Sequence, residues 1–397
     1  MNSRARGLLL AALALAFLPE LTPAQSPPVS LGSGTNLSSV EYFPPPDGQR
    51  VRLHLTGREM SPLPGVLYDV KQLRIEKFNL AGKLEEVAEA PECIYAQLDG
   101  LVSSSSPLDM RLRDGGIHVT GDGFLWQQAD NSFYLSNNVS TVFMKKIFST
   151  VLASSLSAGL GAQSPAFPAS APQDFGIHSD HCSGNAQQLL WFDRVCVTNS
   201  RGQMTCERLT VNFPLADTSD HHPTNAVAET NVRAVFYGKK GETNHLRADK
   251  CVYDFQVIHG VTNEFFTFTG NDVVLVNAQG RLACERLTVH VPPEGSPDRH
   301  PTNAVAETNL DIVFVSKKGE TNHLTADKGI YDYSVIRGVT NEVFTFTGHV
   351  TNLMAKGWVT GEPLIWDNVN NSFAGTDVEM HYFPPATTNA SPLNLLK

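Results

Sequence analysis

Apolar and polar residues alternate along most of the chain after residue 50. Segments 51–55, 232–237 and 310–315 each follow a period of two. This period places successive side chains on opposite faces of a β-strand. Glycines such as Gly241 and Gly319 punctuate the runs. The pattern predicts an all-β chain of short strands, with a possible helical turn over 226–230 and a loop over 31–48.

The alternating pattern is duplicated in tandem. Residues 222–231 recur unchanged as 300–309, and residues 206–211 recur as 284–289. Both pairs share one register, so a unit beginning at Cys206 is followed by a second copy beginning at Cys284. Repeats of fixed period indicate an elongated, stacked architecture in which neighbouring units share a core.

Comparison of the two copies identifies the face of each strand that stays apolar. Val232 and Phe236 correspond to apolar residues in the second copy, whereas Arg233 between them corresponds to Asp311. We take the apolar face as inward. The predicted inward set is Leu209, Val211, Val232, Phe236, Leu246, Val252, Phe266 and Phe268, with the copies Leu287, Val289, Leu310, Phe314, Leu324, Ile330, Phe344 and Phe346.

Changes in composition divide the chain. Residues 1–24 read as a signal peptide, 31–147 as an N-terminal β module, and 176–383 as the module that contains the tandem repeat. Between the modules, 148–175 is rich in Ala, Ser and Pro and is predicted to be a linker. Residues 147–160 are alternatively a short helix, and 384–397 form a C-terminal tail.

The N-terminus and the net charge predict the compartment and exclude some partners. Arg4 and Arg6 precede an apolar run, and Ala24 supplies a small residue for cleavage. The run of about 11 residues is too short to span a bilayer. We expect export to the periplasm, with an uncleaved anchor as the alternative. A formal net charge of −10 counts against nucleic acid as a partner.

Several polar constellations have a chemical and a structural interpretation. Cys196 and Cys206 flank a predicted turn and are either a hairpin disulfide or two buried thiols. His178 to Cys182 and Asp220 to His222 contain metal-capable side chains, but polar loops explain them as well, and we expect no metal site.

The tandem repeat also duplicates acidic residues. Two carboxylates roughly 5–10 Å apart would suit a glycoside hydrolase. An active site is usually single, whereas structural turns repeat, so we assign the duplicated aspartates to turns and ladder ends. They are Asp249 and Asp254 in the first copy, and Asp327 and Asp332 in the second. We expect no enzyme activity and no cofactor.

Short motifs in both copies resemble the OstA-like repeat. They are the Tyr-Asp pairs at 253–254 and 331–332, each followed by a Phe-Thr-Phe-Thr-Gly segment at 266–270 and 344–348. This repeat occurs in LptA, LptC and the N-terminal domain of LptD, the proteins of lipopolysaccharide transport. Residues 50–142 are similar to the LptC-type version. The chain is longer than a single-module LptA and carries a linker that the family lacks.

The resemblance implies an elongated β-jellyroll whose apolar groove holds the acyl chains of lipopolysaccharide. It also implies partners that add to free strand edges, either other proteins of this jellyroll type or further copies of the chain. A structural or adhesive repeat protein with a closed core is the alternative. A polysaccharide-active enzyme is a third possibility.

Overall fold

The predicted all-β class is confirmed. The computed structural model describes residues 33–113, 115–144, 175–185, 187–199, 202–214, 223–237, 243–258, 261–291, 301–315, 319–336, 339–367, 369 and 372–383. Regular structure in this part of the chain consists of β-strands, joined mostly by short turns. The predicted signal peptide, the C-terminal tail and the linker fall outside it, except that the linker's last residue, Phe175, begins a strand.

Twenty-three strands lie within the described ranges. In chain order they are β1 (Gly34–Tyr42), β2 (Val51–Leu63), β3 (Leu67–Phe78), β4 (Leu84–Ala96), β5 (Leu101–Leu112), β6 (Ile117–Gln127), β7 (Ser132–Phe143), β8 (Phe175–Ser179), β9 (His181–Gly184), β10 (Gln188–Asn199), β11 (Gly202–Asn212), β12 (Asn225–Tyr237), β13 (Thr243–Ile258), β14 (Val261–Asn277), β15 (Gly280–Val291), β16 (Asn303–Val315), β17 (Thr321–Ile336), β18 (Val339–Thr347), β19 (Thr351–Met354), β20 (Gly357–Thr360), β21 (Leu364–Asp367), β22 (Ser372–Gly375) and β23 (Glu379–Tyr382).

All of these strands belong to one antiparallel sheet in which most strands pair with the next along the chain. The N-terminal module and the repeat module share this sheet, because β7 pairs with both β8 and β9. The duplicated unit spans four strand positions, so the second copy continues the ladder of the first. The result is an elongated stack with β1 at one end and β22 and β23 at the other.

Most long strands carry an irregularity near the middle. In β12 the pairing register shifts between Glu229 and Val232, and the residues between them, Thr230 and Asn231, have positive φ. The copy in β16 repeats both features at Thr308 and Asn309. Since a bulge bends a strand and disturbs its pleat, bulges at matching places on successive strands bend the whole sheet along one line.

The bend folds the sheet onto itself. We call one half of the sheet sheet A, which contains Leu209 and Ala228, and the other half sheet B, which contains Met204 and Ala234. Each half buries one face, yet the described residues provide no second layer to cover it. The two buried faces must therefore pack against each other, and the interior of the molecule is the space between sheets A and B.

Two positions at the bend have no room for a side chain. A Cβ at Gly270 would lie 2.7 Å from the Asp249 carboxylate, and one at the equivalent Gly348 would meet Asp327 even more closely. Gly348 also has a φ of +73°, a conformation that other residues rarely adopt. Gly270 lies inside β14, because the strand continues through the bend.

Two local predictions were wrong. Residues 226–230, expected as a possible helical turn, are part of β12. Residues 34–42, expected as part of a loop, form β1, whose side chains are mostly exposed. Pairing with β2 supplies the hydrogen bonds that hold this polar edge strand, so its own composition gives little sign of it.

Candidate ligand-binding interior

The predicted inward set lines the interior for the most part. Val232, Leu246, Phe268 and Leu310 are at most 2% exposed. Also buried are Leu209, Val211, Phe236, Phe266, Leu287, Val289, Leu324, Phe344 and Phe346. Phe314 is partly buried and packs against this core. Comparison of the two copies therefore recovered the correct face for most of the set.

Val252 and Ile330 were assigned to the wrong face. Both are only half-buried, and the buried position is the preceding residue, Cys251 or Gly329. The register of β13 shifts between Arg247 and Lys250, which reverses the alternation for the rest of the strand. Val252 consequently lies opposite Thr267 on the outer face. Ile330 has the same placement, although it still borders the interior at its edge.

Each copy of the repeat encloses one cavity between sheets A and B, and equivalent residues line the two cavities. Leu209, Ala228 and Tyr253 in the first correspond to Leu287, Ala306 and Tyr331 in the second. The space open to water is about 50 Å³ in each. A water molecule needs roughly 10–15 Å³ of such space, so each cavity has room for a few waters but not for an acyl chain. Side chains fill most of the interior.

A buried glutamate lies inside each copy. Glu264 is 1% exposed and lines the first cavity together with Tyr253. In the second copy Glu342 is 7% exposed and accepts a 3.2 Å hydrogen bond from the Tyr331 hydroxyl. Each tyrosine ring also lies 5.0 Å from a phenylalanine of the same sheet. Burying a carboxylate in apolar surroundings is costly unless it is hydrogen-bonded. The hydrogen bond between Tyr331 and Glu342 offsets part of this cost.

Aromatic side chains fill the interior where the two modules join. Trp191, on sheet A, is fully buried and donates a 2.9 Å hydrogen bond from Nε1 to Oγ1 of Thr141 on sheet B. Phe143 packs 6.0 Å from the Trp191 ring and 5.6 Å from Phe175. This junction cluster of Trp191, Thr141, Phe143 and Phe175 lies where the interior of the repeat module meets that of the N-terminal module, and its apolar members belong to one core that is continuous through both.

Two further contacts connect the sheets at their outer margins. Arg113 donates a 2.6 Å hydrogen bond to the Pro214 carbonyl and lies 4.7 Å from the centre of the Phe213 ring. Burial lowers the pKa of the Arg113 guanidinium. In the second copy, Phe314 on sheet B stacks on Trp366 of sheet A at 5.3 Å. The interior is therefore closed at these points.

The structure rules out the hairpin disulfide. Cys196 pairs with Thr205, and Cys206 pairs with Val195, the residue before Cys196. Cys206 is buried, whereas Cys196 is only half-buried. Their side chains therefore lie on opposite faces of the sheet. All six cysteines are free thiols. Burial raises the pKa of the Cys206 and Cys284 thiols to about 12, which keeps them protonated at neutral pH.

The duplicated aspartates have the structural roles that the sequence predicted. Asp254 and Asp332 each accept a 2.7 Å hydrogen bond from an asparagine of the neighbouring strand. Asp249 accepts one from a backbone N–H at the bend, and Asp327 contacts His349 there at 2.9 Å.

No group of three metal-capable side chains comes together within the described ranges. Of the two predicted metal-capable segments, 220–222 falls outside those ranges.

Sequence reasoning missed the buried glutamates. Glu264 precedes Phe266 by two residues, and Glu342 precedes Phe344 by the same interval. Extending the inward alternation by one position would have placed both carboxylates inside. Trp191 lies outside the duplicated unit, so no second copy indicated its importance.

Comparison with known proteins adds no family assignment. No family model matches the sequence, and no curated protein is significantly similar to it.

Among the described residues there is no helix long and apolar enough to cross a membrane.

Proposed function

We propose that the protein is an exported, non-enzymatic lipid carrier that binds the acyl chains of lipopolysaccharide between sheets A and B and helps move it to the outer membrane. The observation that carries this proposal is the folded single sheet, whose interior is mostly apolar and contains a cavity in each repeat. The resemblance of the motifs to the OstA-like repeat is the reason to propose lipopolysaccharide as the lipid, and the predicted signal peptide is the reason to propose the periplasm.

Binding must open the interior, because the two cavities are too small for an acyl chain as they stand. Burial of a 12-carbon chain contributes about 9 kcal/mol at roughly 0.8 kcal/mol per CH₂. That contribution can offset the loss of some contacts between sheets A and B. The sheets are joined through the bend, so they can part at the opposite margin without breaking strand pairing.

Photo-crosslinking tests the carrier proposal. A photoreactive phenylalanine analogue at Phe268 or Phe346, which face the interior, should capture lipopolysaccharide. The same analogue at Thr267, on the outer face, should capture much less. Each variant must first show the melting transition of the unmodified protein, because a larger ring in a packed interior can unfold it. Equal capture from both faces, or none from either in folded protein, contradicts the proposal.

The closed interior favours a second candidate. Trp191 and Phe143 fill the space at the module junction, as the core of a structural or adhesive repeat protein would. Such a protein has no need to open. The crosslinking experiment separates the two functions, since a permanently closed core gives no lipid adduct at position 268 or 346 while the melting transition stays unchanged.

A further inference from the structure

The two copies of the repeat place the same polar pair beside a mostly apolar cavity. Glu264 lines the first cavity beside Tyr253, and Phe266 and Leu209 form part of the same wall. In the second copy, Tyr331 lines the cavity and donates a hydrogen bond to the buried Glu342. A filled core has little use for a carboxylate, because replacement by an apolar side chain of similar volume is often neutral or stabilising.

The glutamates lie at the side of the interior that is farther from the bend. Glu264 is on the same face as Phe266 and Phe268 but farther from the bend, and Glu342 is placed likewise in β18. The bend closes the interior at one side, so the glutamates lie toward the opposite margin of sheet A. An elongated amphiphile that entered from this margin would leave its polar end beside the glutamate and its chain among the phenylalanines.

The chemistry of the pair restricts that polar end. In the second copy Glu342 accepts a hydrogen bond from the Tyr331 hydroxyl, and a carboxyl group in this accepting role favours a head that donates hydrogen bonds, such as a hydroxyl or an ammonium group. A carboxylate head offers only acceptors to a position that already presents an acceptor, and two buried acceptors cannot compensate each other.

We infer that each repeat contains a head-group position, Glu264 with Tyr253 and Glu342 with Tyr331, that selects single-chain amphiphiles with hydrogen-bond-donating heads over those with carboxylate heads. The inference rests on the proposed lipid-binding interior and adds a rule for the head group. The two positions are four strands apart, or roughly 19 Å at about 4.8 Å per strand.

Three eight-carbon probes test the selection, namely octan-1-ol, octylamine and octanoate. Isothermal titration of the full chain should give two sites per chain and at least about tenfold tighter binding of the alcohol and the amine than of octanoate, equivalent to about 1.4 kcal/mol. A further preference for the amine over the alcohol would show that charge adds to hydrogen bonding, and equal binding would show that donation suffices. Either result supports the inference.

The double variant Glu264→Gln with Glu342→Gln should reduce the preference over octanoate to within about threefold, because an uncharged amide can donate to a carboxylate. The matched control changes Glu207 and Glu285 to Gln. These residues are also duplicated, but they are exposed at the bend, so the preference should stay at the wild-type value. Melting curves establish that all of the variants are folded.

Equal binding of the three probes to the wild-type chain overturns the inference, and so does an unchanged preference in a folded double variant. If the double variant does not fold, Glu264→Gln and Glu342→Gln are tested singly, and each should lose the preference at one of the two sites. The outcomes also separate this inference from the carrier proposal. Head-group selection without lipopolysaccharide crosslinking leaves the inference intact and removes the lipopolysaccharide carrier, whereas crosslinking without selection does the reverse.

Discussion

At the scale of single residues, the most informative side chains are the polar ones inside the molecule. Burying a carboxylate or a hydroxyl without a partner costs several kcal/mol, so such groups persist only where hydrogen bonds compensate them. Glu342 and Tyr331 satisfy each other in this way. The same two residue types occupy the equivalent positions 264 and 253. The combination of tyrosine and glutamate therefore recurs in both copies of the repeat.

The Tyr331 hydroxyl should contribute measurably to stability. Tyr331→Phe removes its hydrogen bond and weakens the compensation of the buried Glu342 carboxylate, and we expect a loss of about 1–3 kcal/mol in the free energy of unfolding. Urea denaturation measures this change. Tyr42→Phe, at an exposed position on β1, is the control and should stay within about 0.5 kcal/mol of the wild type. Equal stability of the two variants would contradict a structural role for the hydroxyl.

At the scale of secondary structure, the strands are longer than the uninterrupted alternating segments of the sequence. The sequence predicted short strands, whereas β12 has 13 residues and β14 has 17. Two short alternating segments join through a bulge, and each segment alone carries the correct pattern. What the sequence could not show is how many residues the bulge adds, because backbone pairing determines that number rather than side-chain polarity.

The bulges also explain which interior residues could be predicted from the sequence. Leu209, Phe268 and their copies were assigned to the correct face because each was judged with neighbours on its own side of a bulge. Val252 was judged together with Leu246, across the bulge, and the alternation reversed between them. Copy comparison could not reveal the mistake, since Ile330 and Leu324 carry the same bulge error in the second copy.

Thiol labelling distinguishes the two faces of β13. In a Cys196→Ser background, Val252→Cys should react with N-ethylmaleimide in the folded protein, because position 252 is on the outer face. The native Cys251 should stay unmodified, since it is buried and burial raises the pKa of its thiol. Mass spectrometry of proteolytic fragments counts the adducts.

Labelling in guanidinium is the control for this experiment, and all of the cysteines should react there. A reactive Cys251 beside an unreactive thiol at position 252 in the folded Val252→Cys variant would show that the alternation of β13 does not reverse. In that case Val252 would face inward, as the sequence analysis expected from its alternation with Leu246.

At the scale of the whole molecule, one sheet runs through both modules, and the junction cluster lies where they meet. Trp191→Ala removes a fully buried ring and its hydrogen bond to Thr141, with an expected cost of about 3–5 kcal/mol. Trp191→Phe keeps most of the volume and should cost less. Scanning calorimetry measures both. Trp358→Ala is the control because this ring is only half-buried, and a cost as large as that of Trp191→Ala would contradict a special role for the junction.

The two ends of the stack should mediate weak self-association. Within the described residues, β1 pairs only with β2, and β23 only with β20, so each strand leaves backbone groups unpaired along one side. Val40 and Tyr42 at one end, and Met380 and Tyr382 at the other, are exposed. Free edges of this kind accept a strand from a neighbour. Head-to-tail pairing of β1 with β23 would continue the sheet from one copy into the next.

Sedimentation velocity over a range of protein concentrations should therefore show elongated species that grow by mass action. The double variant Val40→Lys with Met380→Lys should shift this association to higher concentration by about tenfold or more, because charge on an edge strand opposes pairing. Leu98→Lys introduces a single lysine at an exposed residue between β4 and β5, away from both ends of the stack, and should leave association unchanged. If the wild-type chain is monomeric at every concentration, or if both variants associate equally, the free edges are not the contact surface. Addition of partner strands would then have to use another part of the molecule.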